Sequence, residues 1–243
     1  MNMMFFLGFI GLNAIAFGLL ERRYTLGKAF FCDVLFGITN PILVNFMISK
    51  VLFTYFSLSG PWVLIDLPSL FPNWLLWVAV IIFADLWGYA WHTLYHQTFL
   101  WHLHFIHHSS RELRWHSELR FHPVETVITH ASLFMVLSCF GIPYKNYVWL
   151  NLFYFVFSAL SHAKVNWNFG VLGKIIISPA YHAIHHQEAT QHMNLGNLFV
   201  IWDQLFKKSI YPVVRPNEIN RTGNDHWIKL WFHPLRLKKF NRK

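Results

Sequence analysis

Five long apolar segments, joined by polar loops, limit the folds that this chain can adopt. Hydrophobic residues make up 55% of the sequence and charged residues only 13%, whereas charged residues are about a quarter of an ordinary soluble domain. Because a helix needs roughly 20 apolar residues to span a bilayer, the sequence predicts an all-α membrane protein with about four to five transmembrane or membrane-embedded helices. The apolar segments are 3–20, 29–52, 74–91, 126–141 and 144–160.

The loops between these segments are alternately rich and poor in Lys and Arg. Three basic residues lie in 21–28, none in 57–71, three in 92–125, one in 142–147 and twelve from 163 onward. Because basic loops stay in the cytoplasm, we expect the N-terminus outside and the C-terminus inside. The net charge of +9 then fits an anionic membrane face rather than nucleic acid. This multi-pass protein would lie in the plasma or inner membrane of a bacterium, or in the endoplasmic reticulum of a eukaryote.

The chain is predicted to be one integral membrane domain, 1–243. It would comprise N-terminal membrane helices (1–84), a histidine-rich region (85–206) and a basic cytoplasmic tail (207–243). The first apolar segment lacks the preceding charge and the small residues of a cleaved secretory signal, so we expect it to remain as a helix. Cys32 and Cys139 lie in apolar segments without CxxC spacing, and we expect both to pack rather than to form a disulfide.

Eight of the sixteen histidines fall into three short motifs. His92 and His96 are one helical turn apart, so a helix continuing from the third apolar segment places both rings on one face. In each HxxHH motif, 104–108 and 182–186, the rings lie at about 0, −60 and +40 degrees around a helix, which is one narrow stripe. The charge pattern puts all three motifs on the cytoplasmic side. They therefore predict a two-metal site in a cytoplasmic helical cap.

The residue types indicate which metal this site would bind. Neutral imidazole suits iron, copper, zinc and nickel, and the absence of cysteine ligands argues against structural zinc or an iron–sulfur cluster. The Glu-x-x-His pairs of soluble di-iron bundles are also missing from the sequence. Eight histidines supply about four ligands per metal and leave room for oxygen. Oxidation of an unactivated C–H bond needs a redox-active metal such as iron, and a lipid-like substrate can enter from the bilayer.

Ordered motifs over residues 85–206 resemble those of a known family. They are Asp85-Leu-Trp-Gly-Tyr-Ala-Trp-His92-x3-His96, Leu100-Trp101-x2-His104-x2-His107-His108-Ser109-Ser110, Arg120-Phe-His122-Pro123-x-Glu125, His162, Ser178-Pro179-x2-His182-x2-His185-His186, Asn194, Gly196 and Ile201-Trp202-Asp203-x-Leu205-Phe206. The chain resembles the fatty acid hydroxylase/sterol desaturase superfamily. The resemblance implies a helical membrane oxygenase that uses two iron ions and O2, with its catalytic region at 85–206.

The resemblance also implies which residues build the site. The metal-ligand positions of the family correspond to His92, His96, His104, His107, His108, His162, His182, His185 and His186. We expect hydrogen bonds to the ligand rings from Asp85, His122, Glu125, Asn166 and Asn194, with direct metal coordination as an alternative for His122. Structural or surface roles are expected for His102, His116, His130, His226 and His233, and the role of His192 is left open.

Three departures from the family pattern leave the substrate subgroup open. Thr93 stands where many members have Arg, Asn166 where fatty acid hydroxylases often have a second histidine, and Lys207-Lys208 where Gly-Thr is common. Hydroxylation, desaturation and ether cleavage therefore all stay open as reactions on a fatty acyl, sterol or related lipid.

The predicted reaction also needs a source of electrons. Such a reaction consumes two external electrons, and the 243 residues show no GxGxxG motif, cysteine set or haem domain. We therefore expect a separate reductase or small electron-transfer protein, docking near Lys207 and Lys208.

A purified preparation can hold zinc in place of iron, because metal availability also decides which metal is bound. The alternatives are a multi-pass metal-cation transporter, whose sites usually lie near the bilayer midplane, and a histidine-ligated membrane haem protein.

Overall fold

The computed structural model describes residues 3–21, 27–47, 63–97, 99–216 and 226–232. The described residues form helices and loops without β-strands, and one isolated antiparallel bridge joins Ile176 to Phe199. The predicted all-helical class is therefore confirmed. In chain order the helices are α1 (Met3–Glu21), α2 (Lys28–Met47), α3 (Leu67–Leu70), α4 (Asn73–Gln97), α5 (Trp101–His108), α6 (Pro123–Cys139), α7 (Tyr144–His162), α8 (Pro179–His185), α9 (Ile201–Leu205) and α10 (Trp227–Trp231), with 3-10 turns at Trp115–Leu119, Leu172–Lys174 and Glu188–Thr190.

Helix α4 is the one described helix that is long and apolar enough to cross a membrane. Shorter apolar helices are Gly11–Glu21, which is part of α1, and α6. Helices α2 and α7 coincide with the other two predicted apolar segments, so the number of full crossings stays a prediction. Residues 48–52 of the second segment and parts 217–225 and 233–243 of the tail lie outside the described residues.

The two faces of α4 meet different surroundings. Val78, Ile82 and Leu86 recur every fourth residue and are exposed, so they form an apolar stripe that is suited to lipid. The opposite face packs against the hairpin of α6 and α7. The buried cluster there comprises Leu76, Val80, Ala84, Leu137, Ile142, Tyr147 and Leu150.

Helix α6 separates the histidine motifs from the loop around α3. His104 contacts Glu125 in the first turn of α6, whereas the carbonyl of Cys139 in its last turn accepts a hydrogen bond from Leu64 N at 2.8 Å. Seventeen residues of helix place these two ends about 25 Å apart. The separation is compatible with the predicted topology. Cys32 is buried and Cys139 is half-buried.

Helix α2 packs against α6 and the turn Trp115–Leu119. Its fully buried Asp33 accepts hydrogen bonds from His116 Nδ1, at 2.6 Å, and from Arg120 Nε. Arg120 Nη1 also donates to Ser109 Oγ at 3.3 Å, just after α5. This buried ion pair ties the loop that follows α5 to an N-terminal helix.

Candidate metal centre

Four helices bring the nine predicted ligand histidines together, and all nine are buried. The C-terminal part of α4 carries His92 and His96, and the last turn of α7 carries His162, while the others lie on α5 and at α8. They form two groups, and the ligand atoms within each group lie within 4.8 Å of one another. The first group contains His92, His96, His104, His108 and His185, and the second contains His107, His162, His182 and His186.

Each HxxHH motif is divided between the two groups. In α5 the pair His104 and His108, four residues apart, belongs to the first group and His107 to the second. At α8 the assignment is reversed, because His182 and His186 belong to the second group. The first and last histidines of the motif are four residues apart and differ by about 40 degrees around the helix. The middle histidine, three residues after the first, lies about 60 degrees away from the first in the opposite direction. One short helix can therefore supply ligands to two centres.

Hydrogen bonds on the Nδ1 side orient four of the rings. The Nδ1 atoms of His92, His185 and His162 donate to the carbonyls of Leu195, Met193 and Ser158 at 2.7, 3.0 and 2.7 Å. His104 Nδ1 contacts Glu125 Oε1 at 2.6 Å. Because the proton is held at Nδ1, the lone pair of Nε2 is available for a metal.

The Nε2 atoms converge in a way that a cation would stabilise. In the second group His162 Nε2 lies 3.1 Å from His107 Nε2 and 3.2 Å from His182 Nε2. In the first group the buried Nε2 atoms of His92 and His185 have no hydrogen-bond partner within the described ranges. Lone pairs of neutral imidazoles repel one another at such distances unless a proton or metal lies between them. The residues present thus fit two metal ions.

Burial also favours the metal-binding form of the rings. It lowers the pKa of His182, His185 and His186 well below the ordinary value, and neighbouring histidines lower it further. These imidazoles are therefore neutral near pH 7. With nitrogen donors alone in both groups, the donor set suits iron, copper or zinc rather than calcium or magnesium.

Two buried carboxylates fix the loop whose carbonyls hold His92 and His185. Asp203 accepts from the backbone N–H groups of Leu195 and Gly196, both at 2.9 Å, and from Tyr181 Oη at 3.0 Å. Sequence reasoning quoted Asp203 only as part of a motif and missed this role. Asp203 follows Gly196 and Leu195 by seven and eight residues across a loop. No helix or strand periodicity relates these positions, so the sequence pattern could not predict the contact.

The prediction that Asp85 hydrogen-bonds a ligand histidine is wrong. Asp85 instead accepts from Leu198 N at 2.9 Å, Phe199 N at 3.1 Å and Trp202 Nε1 at 2.8 Å. Asp85 and His92 lie seven residues apart on α4, and both contact the loop before α9, His92 through Leu195 O and Asp85 through Leu198 N. Asp85 therefore acts on the loop and not on a ring.

His122, Asn166 and Asn194 also make contacts other than the expected ones. The ring of His122 accepts from Val124 N and donates to Trp231 O, so it begins α6 and anchors α10. Asn166 Oδ1 accepts from Arg215 N at 2.8 Å. Asn194, at a φ of 56°, bonds backbone atoms of Tyr181 and Ile210. It positions its neighbours Met193 and Leu195, whose carbonyls hold two ligand rings.

The remaining described histidines lie outside both groups. His116 pairs with Asp33, and His130 Nδ1 lies 3.1 Å from Tyr147 Oη. His192 is exposed, although its ring centroid lies 5.9 Å from that of His96. His233 is outside the described residues.

A cavity of about 370 Å³ between α2, α4, α6 and α7 reaches the histidines. Its lining is mostly apolar and aromatic, and it includes both Tyr144 and His162, the first and last residues of α7. The cavity therefore follows a helix of 19 residues, roughly 27 Å. The ligand rings at its metal end are His92, His104, His107, His162 and His182.

Comparison with known proteins agrees with this site. Residues 77–208 match the family described as Fatty acid hydroxylase. An alkylglycerol monooxygenase of Caenorhabditis elegans is 29% identical over 64% of this chain and 30% of its own length. The ornithine lipid hydroxylase OlsE of Rhizobium tropici is 31% identical over 51% of this chain and 39% of its own, and a human alkylglycerol monooxygenase is 28% identical over 65% and 36%.

The chain thus spans about a third of the length of the curated relatives that it matches. No solved structure matches it significantly. The family match covers more than half of the chain and contains every histidine of the two groups. This confirms the resemblance seen in the ordered motifs, and the chain belongs to the fatty acid hydroxylase family.

Proposed function

We propose that this protein is a membrane di-iron monooxygenase that hydroxylates a lipid-like substrate with O2. The observation that carries the proposal is the pair of adjoining all-histidine groups at the end of a long apolar cavity. Two bound iron ions would supply the oxidising chemistry when O2 and electrons are available. The named relatives are monooxygenases or hydroxylases, two of them of alkylglycerols and one of ornithine lipids.

The protein residues hold the metals and shape the path of the lipid. The first group would hold one ion through up to five imidazoles and the second group the other through four. The carbonyls of Leu195, Met193 and Ser158 keep three of these rings in one orientation. The cavity would exclude water from an acyl or alkyl chain and hold it with one end beside the histidines.

The electron balance requires a donor outside the lipid. Conversion of a C–H bond and O2 into an alcohol and water consumes two electrons and two protons. We propose that a separate reductase or small electron-transfer protein delivers them on the cytoplasmic face. Lys207 is exposed next to α9 and offers positive charge to an acidic partner.

Isotope labelling tests the proposed reaction. Iron-loaded protein in lipid nanodiscs would be supplied with a bacterial or microsomal lipid extract, NADPH, a ferredoxin with its reductase, and 18O2. We expect one 18O atom in a hydroxylated lipid, and no product when the donor proteins are omitted. A lipid product that had lost two hydrogens without gaining 18O would replace hydroxylation by desaturation. An absorption spectrum with a Soret band would instead indicate a haem protein.

A further inference from the structure

Three buried oxygen atoms at the metal end of the cavity have no hydrogen-bond partner among the described residues. They are Asn40 Oδ1, Glu118 Oε2 and Glu125 Oε2, and all three residues line the cavity. Asn40 Nδ2 donates to Phe121 O at 2.9 Å, which fixes the orientation of the amide, while Glu125 Oε1 is engaged with His104. Asn40 and Glu125 are thus oriented with one oxygen unused.

These oxygens surround the place where both histidine groups meet the cavity. Glu125 contacts His104 of the first group, and Glu118 Oε2 lies 3.5 Å from His162 Nδ1 of the second. The ring of Phe121, whose carbonyl holds Asn40, stacks on His107 with 4.2 Å between centroids. A ligand at this end of the cavity would therefore meet Asn40, Glu118 and Glu125 together.

Orienting the metal ligands does not explain Glu118. His162 Nδ1 already donates to Ser158 O at 2.7 Å, so the ring does not need the carboxyl group. A buried polar group without a partner costs about 1–3 kcal/mol. An apolar residue at position 118 would serve a pure hydrocarbon substrate better.

We propose that Asn40, Glu118 and Glu125 bind a hydroxyl group of the lipid substrate, next to the carbon that is oxidised. The inference rests on the proposed function and narrows its substrate class to lipids with a hydroxyl group near the reacting carbon. A hydroxyl group both donates and accepts, so it suits a carboxyl group in either protonation state. The apolar remainder of the cavity then takes the chain. Asn40 comes from α2, outside the family-matched residues.

Binding without turnover tests this site. Metal-loaded protein in phosphatidylcholine nanodiscs, kept anaerobic and without reductant, would be incubated with tritiated 1,2-hexadecanediol. Unlabelled diol, its dimethyl ether and hexadecylamine would then compete for the site. We expect the diol to compete about tenfold better than the ether, which is the factor for roughly one to two neutral hydrogen bonds.

Variants assign the preference to named residues. Asn40→Leu and Glu118→Leu should each reduce the diol-to-ether preference to about threefold or less, because each removes an acceptor. Glu118→Gln keeps an acceptor and should retain the preference. Glu112→Gln is the matched control, since Glu112 lies on the surface and pairs with Lys164 and Arg114. Metal content and elution volume would show that each variant is folded.

Two results with the wild-type protein, and one with the variants, would overturn the inference. Equal competition by diol and ether, or tighter binding of hexadecylamine than of the diol, would rule out a hydroxyl site; so would an undiminished preference in both leucine variants. Because no turnover occurs, the result is independent of the reaction. Diol preference without 18O incorporation would remove the proposed hydroxylation and keep the site, whereas incorporation without preference would remove only the site.

Discussion

At the scale of single residues, histidine spacing identified eight of the nine candidate ligands, but the contacts that support their rings could not be predicted. All nine predicted ligands lie in the two groups. Eight of them come from motifs whose i, i+3 and i+4 spacing on a helix dictates a shared face, whereas His162 has no such partner and was implied by the family resemblance. The atoms that hold the rings are largely backbone carbonyls, such as those of Leu195 and Ser158. A carbonyl has no residue-type signature, so only a folded chain reveals this use.

Removing one ligand from each group should abolish activity. We expect His107→Ala and His185→Ala to remain in the membrane, to lose lipid hydroxylation, and to lower the metal content by roughly half or more, because metal affinity depends on the ligand count. Elemental analysis of purified protein, normalised to protein concentration, measures the loss. His102→Ala on the same helix as His107 is the control and should keep the wild-type metal content. Full metal content in both test variants would contradict the ligand assignment.

The loop before α9 should also affect metal affinity, although it supplies no ligand side chain. Asp203→Ala removes the acceptor for Leu195 N and Gly196 N, so the carbonyls that hold His92 and His185 would lose their fixed position. We expect about 10- to 100-fold weaker metal binding, as for other residues that orient ligands. Competition with a chelator measures this. Tyr181→Phe removes one of the three bonds to Asp203 and should weaken binding less; equal effects would mean that the loop is held in another way.

At the scale of elements, the apolar segments predicted the helices but not all of their ends. The predicted segment 126–141 is helix α6 at Pro123–Cys139, which begins three residues earlier because the side chain of His122 accepts from Val124 N and Pro123 occupies the first turn. The ion pair between α2 and the loop after α5 was not predicted, since Asp33 and Arg120 are far apart in sequence. Such long-range pairs need the packing of α2 against the turn Trp115–Leu119.

Breaking this ion pair should destabilise the fold. Asp33→Ala leaves Arg120, which is fully buried, without its carboxylate, and we expect a loss of about 3–5 kcal/mol in the free energy of unfolding. Chemical unfolding in detergent, followed by tryptophan fluorescence, measures the change. The double variant Asp33→Leu with Arg120→Met removes both charges and should recover much of the loss. A single variant as stable as the wild type would show that the pair contributes little.

At the scale of the whole molecule, the alternation of basic loops makes a prediction about sidedness. Leu64 and Val213 are both exposed, one at the α3 end of the protein and the other after the histidine motifs. In a background without Cys32 and Cys139, we expect Leu64→Cys to react with a membrane-impermeant maleimide in intact cells and Val213→Cys to react only after lysis. The reverse pattern would invert the topology. Reaction of both residues in intact cells would place both loops outside.

The division of each HxxHH motif between the two groups makes the two ions thermodynamically dependent on each other. The first group joins α4, α5 and α8, and the second joins α5, α7 and α8. An ion in either group orders α5 and α8 and so reduces the entropy cost of filling the other group. Loading should therefore be cooperative: a protein given less than its full complement of metal would separate into fully loaded and empty molecules, with few that hold a single ion.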